Sequence, residues 1–168
     1  LLVPEATDIC LPGCELISIA NIQSTEAMKA IASHSNGTYT LLYTKHTELK
    51  LGLFALERMV QIMEMTQAGM VYADRYQQVN GIRKAAPVID YQFGSLRDDF
   101  DFGSVMLFQS EVFRKMVKAT KEDYQYAGLY DLRLKISQKK KLVHINEYLY
   151  TEIENDTRKS GEKQFDYV

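Results

Sequence analysis

Cysteine is scarce in this sequence: Cys10 and Cys14 are the only two among 168 residues. Three residues separate them, so they do not form a CxxC motif. Such a pair predicts neither a disulfide framework nor a zinc site, and low cysteine usage is typical of a reducing compartment. We therefore expect a cytoplasmic protein.

Long apolar runs and an excess of basic residues are missing as well. No stretch approaches the roughly 20 apolar residues that a membrane-spanning helix needs. The 20 basic residues are balanced by 22 acidic ones, which gives a net charge of −2. A protein that binds nucleic acid through its phosphates usually has a clear basic excess, so we expect no nucleic-acid partner.

Three motifs of common enzyme classes are absent: GxGxxG, GxxxxGK(S/T) and GxSxG. Hydride transfer on a Rossmann fingerprint, P-loop phosphoryl transfer and a hydrolase nucleophile elbow therefore have no support. The sequence opens with Leu-Leu-Val-Pro and not with Met, and it has no recognisable signal peptide. We expect one domain over 1–168 that belongs to a longer chain and ends in a mobile polar tail over 154–168.

Strand-like and helix-like segments alternate along the chain. Short aliphatic runs predict strands over 16–20, 39–43, 70–73 and 105–108. Apolar stripes at helical spacing predict helices over 25–35, 50–68, 110–118 and 126–137. Asn80-Gly81 predicts a hairpin turn, and 142–145 and 148–151 predict a further pair of strands. This order is typical of an α/β domain with a mostly parallel sheet flanked by helices.

Polar side chains follow two of the predicted strands. Thr44-Lys45-His46 follows the strand at 39–43, and Asp74-Arg75 follows the strand at 70–73. Ligands of open α/β sheets collect at the carboxyl ends of strands, so these residues are candidates for a binding site.

An acidic segment, Arg97-Asp98-Asp99-Phe100-Asp101-Phe102, precedes the strand at 105–108. At strand spacing, Asp99 and Asp101 would point into a cleft while the phenylalanines point into the core. The alternative is a solvated acidic loop, because acids are usually exposed.

The serial order of these segments resembles that of the inverting glycosyltransferases of family 2, which have the GT-A fold. Six segments over residues 15–160 carry the resemblance: ELISIANIQSTEAMKAIA, YTLLYTKHTELKLGLFALERMVQIME, AGMVYADRYQ, DFDFGSVMLFQSEVFRKM, YAGLYDLRLKIS and YLYTEIENDTRKS. The family's DxD motif, which binds the cation on the sugar diphosphate, falls at Thr44-Lys45-His46. Its second-strand aspartate falls at Ala20-Asn21. Its ED pair falls at Gly128-Leu129, which leaves Asp131 as the candidate base.

The resemblance implies a donor side and an acceptor side. The residues implied for the nucleotide-sugar donor are Asn21, Thr44, Lys45, His46, Asp74 and Arg75. Those implied for a glycan or lipid-linked acceptor are Arg97, Asp98, Asp99 and Asp101. Asp131 would deprotonate the acceptor hydroxyl, while basic side chains would stabilise the leaving diphosphate.

The resemblance also implies a divalent cation, Mn or Mg, whose ligands are degenerate here. His46 is the candidate ligand, because imidazole suits Mn-type ions, and Asp74 or Glu48 would then lie close by. The alternative expectation is an empty site, because hard cations prefer two or more oxygen ligands.

The sequence thus predicts a glycosyltransferase-like domain of the hexosyltransferase type, acting with inversion in polysaccharide biosynthesis. A lipid-linked acceptor would be compatible with peripheral association at the inner face of a membrane. The alternative is a catalytically inactive GT-A-like binding or interaction module of a larger protein, which the missing DxD and ED pairs favour.

Overall fold

A computed structural model describes residues 2–3, 12–94 and 100–154 of the chain. The helices are α1 (Thr25–His34), α2 (Ala55–Thr66), α3 (Ser110–Lys118) and α4 (Gly128–Ser137). The strands are β1 (Leu2–Val3), β2 (Ile17–Ser18), β3 (Tyr39–Tyr43), β4 (Glu48–Leu51), β5 (Met70–Val79), β6 (Ile82–Ala86), β7 (Val105–Gln109) and β8 (Leu142–Glu154). Glu154 ends a strand, and the rest of the predicted tail lies outside the described residues.

The larger sheet is mixed and not mostly parallel as predicted. Its strand order is β3-β7-β5-β8-β4, with β6 paired to β5. Among these pairings only β5 with β8 is parallel, and the other four are antiparallel. A parallel neighbour needs a crossover, usually a helix. The described residues between β6 and β7 hold no helix. β7 therefore pairs with β5 in the antiparallel direction, as β6 does. The α/β class is confirmed.

Two layers of helices cover the sheet. Met70 and Tyr72 point into the core beneath α1, α3 and α4, whereas Val71 and Ala73 point into the core beneath α2. All four side chains are fully buried, as expected of a central strand whose successive residues face opposite sides.

Several predicted elements match the structure closely. The strand at 39–43 and the helix at 110–118 have the predicted bounds. The side chain of Ser24 caps α1 by accepting a 3.0 Å hydrogen bond from Ala27 N. The hairpin turn is confirmed, with φ of 50° at Asn80 and 81° at Gly81. Such a pair of positive φ angles is typical of a tight β-hairpin.

The predicted helix over 50–68 was wrong at its start, because 48–51 form β4, which pairs with β8. The segments 142–145 and 148–151 do not pair with each other. They belong to the single strand β8, which lies parallel to β5 with a register irregularity at Asp74. None of the helices in the described part of the chain is long and apolar enough to cross a membrane.

Candidate functional site

The candidate site lies at one edge of the sheet, where β3 ends and β7 begins. Tyr43 on β3 is in register with Val105 on β7. One residue further on, Thr44 N donates a 3.0 Å hydrogen bond to Ser104 O. The prediction that Asp74 and Arg75 follow a strand ending at residue 73 was wrong, because β5 continues to Val79 and contains both. Arg75 reaches the candidate site from within this strand, through its contacts with Asp101 and Glu152.

Arg75 is the most deeply buried cation of this edge, with 8% of its surface exposed. Its Nη2 donates to Asp101 Oδ2 at 2.8 Å, and its Nε lies 3.0 Å from Glu152 Oε1 in an ion pair without hydrogen-bond geometry. Its Nη1 is buried and has no hydrogen-bond partner in the described structure. Burial lowers the pKa of Arg75, but Asp101 and Glu152 outweigh this effect and raise it.

Glu152, on β8, is completely buried and holds the edge together. Its carboxylate accepts hydrogen bonds from Lys45 Nζ at 2.7 Å and from Ser104 Oγ at 2.6 Å. Burial raises the pKa of Glu152, but Lys45, Ser104 and Arg75 together hold it below its usual value. Lys45 Nζ also donates to Glu154 at 2.6 Å, so the carboxylates of β8 fix its position.

The backbone of residues 103–105 is held by Tyr150. The Tyr150 hydroxyl accepts a 3.0 Å hydrogen bond from Ser104 N, and burial raises the pKa of this phenol. Gly103 has φ of 72°, and a Cβ at this position would collide with the Tyr150 hydroxyl. Only glycine therefore allows the chain to pass so close to the site.

Arg133 on α4 brings a further cation toward this edge. Its guanidinium carbon lies 4.7 Å from the centre of the Phe102 ring, which is buried in the core as predicted. Burial lowers the pKa of Arg133 to about 10, while the negative charge of Asp101 acts in the opposite direction. Its Nε is buried without a hydrogen-bond partner in the part of the chain that the structure describes.

A cleft of about 790 Å³ adjoins this edge, between β2 and α1 on one side and β3 on the other. Four of the predicted donor-side residues line it: Asn21, Thr44, Lys45 and His46. The Asn21 side chain is engaged locally, since it donates to Gln125 O and accepts from Gln23 N, both at 2.9 Å. The structure thus brings four of the predicted donor residues, Asn21 and 44–46, to one cleft. Arg75 does not line this cleft but shares the Glu152 carboxylate with Lys45.

Asp74 and Asp131 are not part of this arrangement. Asp74 is 2% exposed and accepts hydrogen bonds from Val88 N and His144 Nε2, both at 2.9 Å. His144 Nδ1 lies 2.7 Å from Asp90, so both ring nitrogens of this strand histidine have partners. Asp131 forms an ion pair with Lys135 and a hydrogen bond with Thr120.

Asp101 is the part of the predicted acceptor segment that the structure describes. Its side chain is 59% exposed, and its Oδ1 accepts a 2.7 Å hydrogen bond from Gly103 N. Arg97, Asp98 and Asp99 lie outside the described residues. Asp101 therefore presents a carboxylate at the candidate site, with one oxygen held by backbone and the other by Arg75.

The described residues do not fit a divalent cation. No group of three or more His, Cys, Asp or Glu side chains that could hold one occurs among them. Asp74, expected beside His46, is instead committed to His144 and Val88. The cations Lys45 and Arg75 occupy the edge where the resemblance implies a metal-bound diphosphate.

Sequence reasoning missed Glu152, Glu154, Tyr150, Ser104 and Arg133. A signal for the first three exists in the alternation of Tyr148, Tyr150, Glu152 and Glu154 along β8, since acidic residues continue a face that begins with aromatic ones. Nothing comparable marks Arg133, whose burial depends on the packing of α4 against Phe102. Comparisons of the chain with protein-family models and with curated proteins gave no match.

Proposed function

We propose that this domain binds a nucleotide-sugar at the carboxyl end of β3 and transfers the sugar, with inversion, to a hydroxyl acceptor. The observation that carries the proposal is the shared anchoring of Lys45 and Arg75 by the buried carboxylate of Glu152, next to the cleft lined by Thr44 and His46. Two cations are thereby fixed at the place where a leaving diphosphate would develop charge.

Fixed cations suit this chemistry because they need no reorganisation when the bond between the sugar and the diphosphate breaks. Arg75 is 8% exposed and does not line the cleft, so in this proposal it adds positive charge behind Glu152 and holds Asp101, and the contact with the phosphate falls to Lys45. Lys45 is about one-third exposed and reaches the same carboxylate from the cleft side. In the proposed reaction these side chains take the place of the metal ion.

Asp101 is the carboxylate proposed to receive the proton of the acceptor hydroxyl. It is exposed, and hydrogen bonds from Arg75 and Gly103 fix both of its oxygens. In an inverting displacement the acceptor oxygen bonds to the anomeric carbon as the diphosphate leaves on the opposite face. The base must therefore stand across the sugar from the cation that binds the diphosphate, so we assign the diphosphate to Lys45 and the positioning of Asp101 to Arg75. Asp131, engaged by Lys135, is the second candidate for this role.

The test is a thermal-shift and calorimetric screen of UDP-, GDP- and dTDP-linked sugars, with manganese and with a chelator. We expect binding of one nucleoside diphosphate class that survives chelation. Because Lys45→Gln alone leaves Glu152 with fewer partners, the informative variant is the pair Lys45→Gln with Glu152→Gln. Loss of one charged contact to a phosphate predicts a drop of roughly tenfold or more in affinity.

The matched control is the pair Lys50→Gln with Glu48→Gln, which removes one positive and one negative charge from exposed positions of β4 and likewise leaves the net charge unchanged. It should leave the affinity unchanged. The proposal fails if no nucleotide-sugar raises the melting temperature, or if binding requires manganese.

A binding module without turnover is the second candidate function. It is favoured because both candidate bases are paired with cations, Asp131 with Lys135 and Asp101 with Arg75. Release of free nucleoside diphosphate from the bound donor, in the presence of acceptor sugars, distinguishes the two. Binding without release supports the module.

A further inference from the structure

A second hollow, of about 660 Å³, lies at the opposite edge of the sheet, where β5 and β8 begin. The residues that line it come from the end of α2, the loop after β6 and the turn between α4 and β8, among them Phe93 and three lysines. Arg75 of the candidate site lies five residues along β5 from its first residue, Met70, a distance of roughly 17 Å at strand spacing. The hollow is therefore distinct from the candidate site.

The charge of this hollow is of one sign. Three consecutive lysines, Lys139, Lys140 and Lys141, line it and are exposed, and none of the lining residues is acidic. The carboxylate of Asp90, next to Tyr91 in the chain, is paired with His144. In a protein whose net charge is −2, this turn is thus a local concentration of positive charge.

Apolar side chains accompany these lysines. Phe93 also lines the hollow, and 76% of its surface is exposed. Met65, which precedes Thr66 at the end of α2, is 74% exposed. An exposed aromatic ring beside clustered lysines is costly in water but favourable at the boundary between lipid headgroups and acyl chains.

We propose that this surface binds a bilayer containing anionic phospholipid. The lysines match the negative headgroups, and the Phe93 ring inserts between lipids while the lysine stems lie along the surface. A soluble phosphate would use the lysines alone and would leave the exposed ring without a role. The inference stands independently of the proposed transfer reaction, because it uses none of the residues of the candidate site.

The test is sedimentation with vesicles of phosphatidylglycerol mixed with phosphatidylcholine, compared with vesicles of phosphatidylcholine alone. We expect binding to the anionic vesicles only, weakened at high ionic strength. The double variant Lys139→Gln, Lys141→Gln should weaken binding by about 30-fold, since each lysine near an anionic surface contributes about 1 kcal/mol. Lys140 is left unchanged because its Cβ packs next to Gly69.

Two matched controls accompany these variants. The pair Lys115→Gln, Lys118→Gln makes the same change of charge at exposed positions of α3 and should leave binding almost unchanged. Phe93→Ser should weaken binding by about tenfold, as expected for loss of a partly inserted aromatic ring, whereas Leu53→Ser, at a residue that is 87% exposed, should have no effect.

Three outcomes would overturn the proposal. The first is an absence of sedimentation with anionic vesicles. The second is equal weakening by the α3 pair, which would indicate attraction by net charge alone. The third is a rise in melting temperature with inorganic phosphate but no vesicle binding, which would assign the hollow to a soluble anion.

Discussion

Lys45 Nζ and Glu152 Oε2 lie 2.7 Å apart and join two positions separated by 107 residues of sequence. Glu152 is fully buried, and the same carboxylate also binds Ser104 and lies against Arg75. The end of β3, the start of β7 and the distal half of β8 therefore meet at a single carboxylate, which makes this edge of the sheet depend on one side chain.

The first prediction concerns the loss of this carboxylate. Glu152→Gln leaves the buried Arg75 with Asp101 as its remaining ion-pair partner among the described residues, so we expect the free energy of unfolding to fall by about 3 kcal/mol. Urea denaturation of the variant at neutral pH measures this. Glu48→Gln, at an exposed position of β4, is the control and should change stability by less than about 0.5 kcal/mol.

The second prediction is the pH dependence of the same interaction. The pKa of Glu152 is held below its ordinary value of 4.5, so ionised Glu152 stabilises the fold at pH values above 4.5. That contribution is lost as the pH falls through the lowered pKa. The stability difference between the wild type and Glu152→Gln should therefore shrink on acidification below 4.5. A difference that is constant across this range would contradict the assignment.

The third prediction compares two glycines with positive φ. Gly81 has φ of 81° and open space around its Cβ position, whereas Gly103 has φ of 72° and lies against the Tyr150 hydroxyl. Gly81→Ala should cost about 1 kcal/mol from backbone strain alone. Gly103→Ala should cost at least about 2 kcal/mol, because Tyr150 must also move. Equal costs in chemical denaturation would show that the contact with Tyr150 is unimportant.

The fourth prediction concerns the Asp74 and His144 pair. His144→Phe keeps an aromatic ring beside Tyr72 but removes a hydrogen bond to a carboxylate that is 2% exposed. We expect a loss of about 2 kcal/mol. In a double-mutant cycle with Asp74→Asn, the coupling energy should be about 1 kcal/mol or more. His34→Phe, at an exposed histidine of α1, serves as the control for the single variant. If the stability losses of His144→Phe and Asp74→Asn add up in the double variant, the two side chains are not coupled.

The fifth prediction is that Arg133→Met preserves or raises stability. Burial holds the pKa of Arg133 down at about 10, so its charge is poorly compensated in the fold. Replacing such a cation by an apolar side chain should be neutral or stabilising by about 1 kcal/mol. Arg83→Met is a matched control, because Arg83 also lies over an aromatic ring but is exposed. If Arg133→Met clearly lowers the stability and Arg83→Met does not, the contact of Arg133 with the Phe102 ring stabilises the fold and the prediction is wrong.

Local pattern was sufficient to predict much of this fold. The apolar stripe of α3 and the aliphatic run of β3 each report burial over neighbouring residues, and both elements have the predicted bounds. The direction of a strand cannot be predicted in this way, because the alternation and burial of its side chains are the same in a parallel and an antiparallel strand. The antiparallel course of β7 depends on the loop that precedes it. The strand β4 escaped prediction because most of its residues are exposed and its order comes from pairing with β8.

The candidate site was predictable only in part, for a related reason. Thr44 and Lys45 follow the end of β3, and that placement follows from the sequence, whereas Arg75 lies within β5, which continues to Val79. The alternation along β8 indicates that Glu152 shares a face with Tyr150, but it does not reveal that Glu152 is the centre of the site, since a glutamate is ordinarily exposed and its partners come from distant parts of the chain. Long-range charge pairing leaves no trace in local periodicity.

The alternation of side chains along β5 has a consequence for how the protein unfolds. Met70 and Tyr72 belong to one core, while Val71 and Ala73 belong to the other. Since β7 and β8 flank this segment on both sides, neither core can lose its packing without disturbing the strand that the other one shares. The described sheet and helices should therefore melt as a single cooperative unit, with the amides of 70–73 among the last to exchange their hydrogens.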